Sequence, residues 1–164
     1  MPAGSTYTPI ATATGTGSSG TVTFSSIPST YTDLVLVSDL ENSATANLYY
    51  QYNGSSSALY SDTTTYGDGS STGSYRRSGQ TLHYISYLSS SGQRLAVISN
   101  FQNYSNTSVF KSILTRANNA SFELNKVVGL WRDTSAISSI TIALNNSANF
   151  TSSSTFTLYG ITAA

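Results

Sequence analysis

The feature that most constrains this chain is a two-residue rhythm. Apolar side chains alternate with Ser, Thr and Asn in one segment after another, and a repeat of two belongs to a β-strand, not a helix. Residues 21–27 read T-V-T-F-S-S-I, with Val22 and Phe24 on one face. Residues 33–40 read D-L-V-L-V-S-D-L, apolar on both faces, as in a strand covered on both sides. Residues 47–53 alternate and run into Asn53-Gly54, a turn signal. Further strand-like runs cover 81–88, 94–104, 109–116, 123–131, 136–144 and 155–162, and a short first strand covers 7–13, giving about ten in all. Ser, Thr, Tyr and Val are mediocre helix formers, so one turn at 134–138 is the most helix expected. Strands every 10–15 residues with turn residues between them predict an all-β fold: a single antiparallel β-sandwich of jelly-roll type with about 8–10 strands. Its core should hold Phe24, Leu34, Leu36, Ile98, Ile113, Val127, Trp131, Ile140, Ile142, Phe156 and Leu158.

Length fits one domain, 1–164, large enough to bury a core without staples. Two segments stand apart from the strand pattern. A short N-terminal arm, about 1–7, contains Pro, Gly and Ser. A long loop, about 55–80, carries Asp62, Gly67, Asp68, Gly69 and Gly73 with Tyr60, Tyr66 and Tyr75; its tyrosines argue for a packed segment with room for a hairpin.

Charge narrows the function classes. Charged residues are only 9%, with seven basic and seven acidic side chains balanced. A nucleic-acid binder carries a basic surplus, and this chain has none. Ser and Thr together supply 32 and 23 residues in place of charge, with 12 Asn and 12 Tyr. Such a surface suits a protein whose faces are occupied by neighbours. The absence of Cys excludes disulfides and thiolate metal sites, and a single His excludes a multi-His site within one chain. No apolar run approaches the roughly 20 residues of a membrane span, and the first residues have no signal-peptide pattern.

The candidate chemistry is thin. A Ser-His-Asp arrangement is nominally available through His83, but His83 sits in an alternating run between Leu82 and Tyr84, without a G-x-S-x-G turn, and reads as a structural residue. Asp39 and Glu41 share a strand face, yet Glu41 leads into a turn, so a glycosidase pair is not expected. Asp62 and Asp68-Gly69 lack the calcium-loop pattern, so no metal is expected. No cofactor and no catalytic residue are expected. Carbohydrate binding is the stronger rival: Tyr49, Tyr50, Tyr52, Tyr60, Tyr66 and Tyr75 offer aromatic faces, with Asn amides nearby. Arg76-Arg77, the one local basic pair, either grips a neighbour's carboxylate or ends a solvated loop.

The stretches Y-T-P-I-A-T-A-T (7–14) and V-T-F-S-S-I-P-S-T-Y-T-D-L-V-L-V (22–37) resemble the opening of a small β-rich module of tailed-bacteriophage virion proteins. The Tyr52-Asn53-Gly54 turn, A-I-S-S-I-T-I (136–142) and S-T-F-T-L-Y-G-I (154–161) fit the same module, while 55–111 is only loosely alike. The resemblance implies a jelly-roll and carries no catalytic residues. It implies a non-enzymatic capsid decoration (cement) protein that binds the outer surface of a phage head, contacts the major capsid protein and fastens capsomers. The alternative is a receptor- or glycan-binding tail-fibre tip; a chain this short, with no shaft sequence, favours the free-standing form. Localisation would be the virion exterior after synthesis in the host bacterial cytoplasm. A homo-oligomer, a trimer ahead of a dimer, is expected, with no nucleic acid and no membrane, and glycan only under the alternative. The expected partner contacts are Pro2 and Tyr7 in the arm and Tyr60, Tyr66, Tyr75, Arg76 and Arg77 in the long loop, the types favoured at binding hot spots.

Overall fold

The computed structural model of the chain describes residues 6–119 and 122–162. Among them are twelve strands and no helix. In chain order they are β1 (Tyr7–Thr14), β2 (Thr21–Phe24), β3 (Asp33–Glu41), β4 (Ala46–Tyr52), β5 (Tyr60–Gly67) and β6 (Thr72–Gln80). Then follow β7 (His83–Leu88), β8 (Arg94–Gln102), β9 (Lys111–Asn118), β10 (Leu124–Trp131), β11 (Ile140–Leu144) and β12 (Thr155–Ile161). They form an eight-stranded sheet, order β1-β12-β3-β8-β9-β10-β5-β6, and a four-stranded sheet, order β2-β11-β4-β7. All pairings are antiparallel, and the two sheets pack as a sandwich. The expected sandwich is therefore present, with two more strands than the upper expectation. Setting aside the β5–β6 and β9–β10 hairpins leaves two four-stranded sheets, β1-β12-β3-β8 and β2-β11-β4-β7.

The two-residue rhythm does the sorting. In β8, β9 and β10 every second side chain is buried along the strand. Leu34, Leu36, Phe101, Ile113 and Trp131 of the large sheet meet Tyr50, Tyr52, Ile140 and Ile142 of the small one, all at most 1% exposed. Burying each such side chain contributes about 1.5–3 kcal/mol.

Of the expected core residues only Ile98 faces out, at 37% exposure. The run L-A-V-I-S-N-F has apolar residues in both phases, and Leu95, Val97 and Phe101 take the inner one. Ile98 is then paired with Val37 on the outer face. Val37 is itself 39% exposed while Val35, on the same side, is 6% exposed, so β3 is covered on both sides only near its start.

The segment read as a long loop, 55–80, is instead largely the β5–β6 hairpin. Its strands are built from Thr, Ser, Tyr and Gly, so they carry little apolar alternation for a sequence reader to find. Thr and Tyr nonetheless fit a pleated surface well. The turn closes on Asp68, whose Oδ1 accepts the backbone N–H groups of Ser70 at 2.9 Å and Ser71 at 2.6 Å, with Gly69 at φ +84°.

Asn53-Gly54 does form a left-handed turn, but the chain after it crosses to the other sheet rather than closing a hairpin. The Asn53 amide also stitches that corner: Nδ2 donates to the Ala136 carbonyl, and Oδ1 accepts from the Ser138 and Ser139 N–H groups. The first strand begins at Tyr7, paired with Ile161, so the end of the expected arm is sheet; residues 1–5 lie outside the described residues.

The sheets differ in width, and this positions the site. At the edge of the small sheet, β7 packs over β9, β10 and β5. Strand β6, the outermost of the large sheet, overhangs it.

Candidate functional site: a tyrosine-lined cleft

On β6 the alternation turns Gly73, Tyr75 and Arg77 inward and Arg76 to solvent. The basic pair of the sequence is thus split across two faces. Arg77 lies opposite Asp62 of β5 and donates to Asp62 Oδ1 from Nε at 3.0 Å and from Nη2 at 2.7 Å. The Asp62 side chain is fully buried, that of Arg77 27% exposed. Burial raises the Asp62 carboxyl above its ordinary pKa, and Arg77 pulls against that shift. The guanidinium lies 3.9 Å from the Tyr84 ring centre and 5.2 Å from that of Tyr75. Arg77 is therefore committed to fixing two tyrosine rings.

Those rings belong to a continuous aromatic wall. Tyr66 and Tyr75 are 6.2 Å apart by ring centres, Tyr75 and Tyr84 6.2 Å, and Tyr84 and Tyr49 5.9 Å. The Tyr66 ring lies across Gly73, where any Cβ would sit 2.8 Å from its hydroxyl. Facing this wall, Tyr87 meets Phe122 edge-on at 6.1 Å. Between them opens a cleft of about 390 Å³ lined by Tyr66, Tyr75, Tyr84 and Tyr87, with Asn47, Glu123 and Asn125. Asn125 is buried, and its Nδ2 donates to Glu123 Oε1 at 2.7 Å and to Ser86 Oγ at 3.1 Å. Aromatic walls with a few fixed polar groups are the composition of a small-ligand site. A larger depression, about 730 Å³, is lined by Ser, Gly and Asn beside the exposed Arg94–Asp39 pair. It has no aromatic wall and is the weaker candidate.

The other titratable groups read as parts of the framework. His83 is 1% exposed, and its Nδ1 is 2.7 Å from the Tyr52 hydroxyl. Burial, reinforced by Arg77, pushes its pKa down to about 3, so it is neutral. Its ring lies against Gly129, closed off from any substrate. Lys111 is buried and donates from Nζ to the Val109 and Thr134 carbonyls. Asp39 and Glu41 do share a face, bridged by Arg94 at 2.9 and 3.6 Å. Asp62 and Asp68 each have separate partners and do not converge. Among the described residues no three carboxylate or imidazole groups gather.

A second feature lies on the outer face of the large sheet. Val37, Ile98, Leu114, Val128 and Leu130 stand there, 37–54% exposed. Cross-strand pairing sets Val37 beside Ile98 and Leu114 beside Val128. Several neighbouring apolar side chains on one sheet face mark an interaction surface more than a scatter of single ones does.

The expected contact residues therefore part company. Tyr66 and Tyr75 line the cleft. Arg76 is exposed and Arg77 internally paired. Tyr60 is fully buried: its hydroxyl donates to the Ser55 carbonyl and accepts from the Tyr52 N–H, so it is no surface anchor. Tyr7 is 56% exposed, its ring edge-on to Tyr159, and Pro2 lies outside the described residues.

Sequence reasoning missed Tyr84, Tyr87, Asn47, Glu123 and Asn125. Tyr84 and Tyr87 are three apart, which strict alternation puts on opposite faces. An irregularity where Tyr49 pairs with Tyr84 but Leu48 with Ser86 inserts Ile85, and this returns both tyrosines to one face. No protein-family model matches the chain, and no curated protein is similar enough to carry a family assignment.

Proposed function

We propose that this chain is a non-enzymatic structural subunit of a tailed-phage virion, a decoration protein that sits on the outer surface of the head, contacts the major capsid protein and fastens capsomers. The observation that carries this reading is the outer face of the eight-stranded sheet, where Val37, Ile98, Leu114, Val128 and Leu130 remain uncovered beside the exposed Arg116 and Lys126. A subunit packed among many neighbours covers such a face. The strand and turn stretches at both ends support it by their resemblance to phage virion modules. So does the residual topology: the β1-β12-β3-β8 and β2-β11-β4-β7 sheets read as the two four-stranded sheets of a jelly roll, widened by two inserted hairpins.

In this reading attachment uses the outer face, with Tyr7 on one edge strand and Arg76 on the other. A homo-oligomer, a trimer ahead of a dimer, suits the threefold positions of a capsid lattice and covers sheet edges. The test is decoration of stripped heads by a Leu114→Lys, Val128→Glu variant. Both positions face solvent, so the variant should fold, and it should lose attachment. Decoration as tight as the parent's would overturn the assignment. The cleft favours a second reading, a receptor- or glycan-binding fibre tip; copy number per virion separates the two.

A further inference from the structure

The geometry points to the tyrosine-lined cleft beside β6 and β7 as a binding site for a neutral carbohydrate, and this holds whether the module sits on a head or on a fibre. Tyr66, Tyr75, Tyr84 and Tyr87 give the cleft amphipathic walls, apolar on the ring and polar at the hydroxyl. The C–H face of a sugar ring is apolar and faintly positive, so it lies well on the negative face of an aromatic ring. Asn47 and Glu123 bring an amide and a carboxylate that can pair with sugar hydroxyls, and the buried Asn125 amide, spent on Glu123 and Ser86, holds the carboxylate in place.

The walls are preorganised. Gly73 leaves the space in which the Tyr66 ring lies, and Arg77, clamped by Asp62, fixes Tyr75 and Tyr84 from behind. A site held this firmly loses little freedom on binding.

Charge excludes the neighbouring ligand classes. The lining contains the Glu123 carboxylate and no basic side chain, and Arg77 behind it is already neutralised by Asp62, so an acidic sugar or phosphate finds no counter-ion. A quaternary ammonium is held by several ring faces closing round it at once, and here Arg77 covers a face of Tyr84 and approaches Tyr75. A sugar needs only one or two open faces, such as those of Tyr66 and Tyr87. The volume, about 390 Å³, is that of a compact small-ligand pocket and is short for the extended groove of a proline-rich peptide.

Nuclear magnetic resonance titration of the intact chain tests this with maltotriose, chitotriose and mannotriose as neutral probes. Sialyllactose, choline and decaproline serve as acidic, cationic and peptide probes. At least one neutral probe should shift the ring signals of Tyr66, Tyr75, Tyr84 and Tyr87 at millimolar concentration. Tyr87→Ala, at a 37% exposed position that the fold tolerates losing, and Gly73→Ala, which displaces the Tyr66 ring, should each weaken that binding by about tenfold or more. Circular dichroism checks that both variants keep the parental strand signal. The proposal is overturned if no neutral probe moves the cleft signals. It is equally overturned if sialyllactose, choline or decaproline binds the cleft in preference, or if folded variants bind as tightly as the parent.

Discussion

A methyl group on Gly129 would place its Cβ 1.9 Å from both Cε1 and Nε2 of His83. Ordinary carbon contact lies near 3.5–4 Å, so the imidazole would have to retreat by roughly 1.5–2 Å. It has nowhere to go. Its ring stands edge-on to Tyr50 and Tyr52, and its Nδ1 is tied to the Tyr52 hydroxyl at 2.7 Å. Forced overpacking in a core costs about 1–3 kcal/mol, and losing the Tyr52–His83 hydrogen bond adds about 1 kcal/mol. Gly129→Ala should therefore destabilise the fold by about 3 kcal/mol, lowering Tm by about 6–12 °C in a chain of this size. Urea unfolding of four proteins gives the decisive comparison: parent, Gly129→Ala, His83→Ala and the double variant. In the His83→Ala background the new methyl group enters vacated space, and its cost should fall below about 1 kcal/mol. An equal cost in both backgrounds would show that the strain lies in the β10 backbone rather than against His83, and would refute the reasoning.

Neutral burial of His83 also makes stability pH-dependent. Its folded pKa, about 3, lies below the ordinary 6.5, so only the unfolded chain takes up the proton between those values. The stabilisation is complete above about pH 6.5 and is lost as pH falls; the loss from about pH 7 to about pH 5 should be about 2 kcal/mol, and His83→Leu should abolish that slope in urea titrations. Arg77→Met leaves the buried Asp62 carboxylate unpaired and should cost about 3 kcal/mol by denaturant midpoint, part of which Asp62→Asn in the same chain restores. Removing residues 1–5 should leave stability within about 0.5 kcal/mol of the parent, because the first strand starts at Tyr7, while weakening attachment to stripped heads in a sedimentation assay.

The sandwich was legible because each buried strand carries its own alternation. Val22 and Phe24, or Ile140 and Ile142, announce an inner face without knowledge of any partner. Legibility failed where apolar alternation is not what holds a strand. Strands β5 and β6 present Thr, Ser and Gly along much of their length and are fixed by pairing, the Asp68 turn and the Asp62–Arg77 bond, none of which alternates. Ile98 failed for the opposite reason: both phases of its strand are apolar, and only the sheet partners decide between them.

The site was half legible. Tyr66 and Tyr75 stood out as aromatic residues in a polar stretch, and both reach the cleft. Tyr60, from the same stretch, is core, because its place opposite Trp131 in the pairing of β5 with β10 turns it inward. Tyr84 and Tyr87 depend on the irregularity at Ile85, a tertiary feature without a local signature. Adjacent arginines suggested one basic patch; the two-residue repeat of a strand made Arg76 a solvent residue and Arg77 a half-buried clamp.

Copy number tests the virion assignment most directly. Quantitative mass spectrometry of purified particles, with the major capsid protein as internal standard, counts this chain per virion. A decoration protein that fastens capsomers should be present in hundreds of copies, in fixed ratio to the capsid protein, and should come away when heads are stripped. Tens of copies or fewer, purifying with detached tails, would contradict the head assignment and place the chain on a fibre.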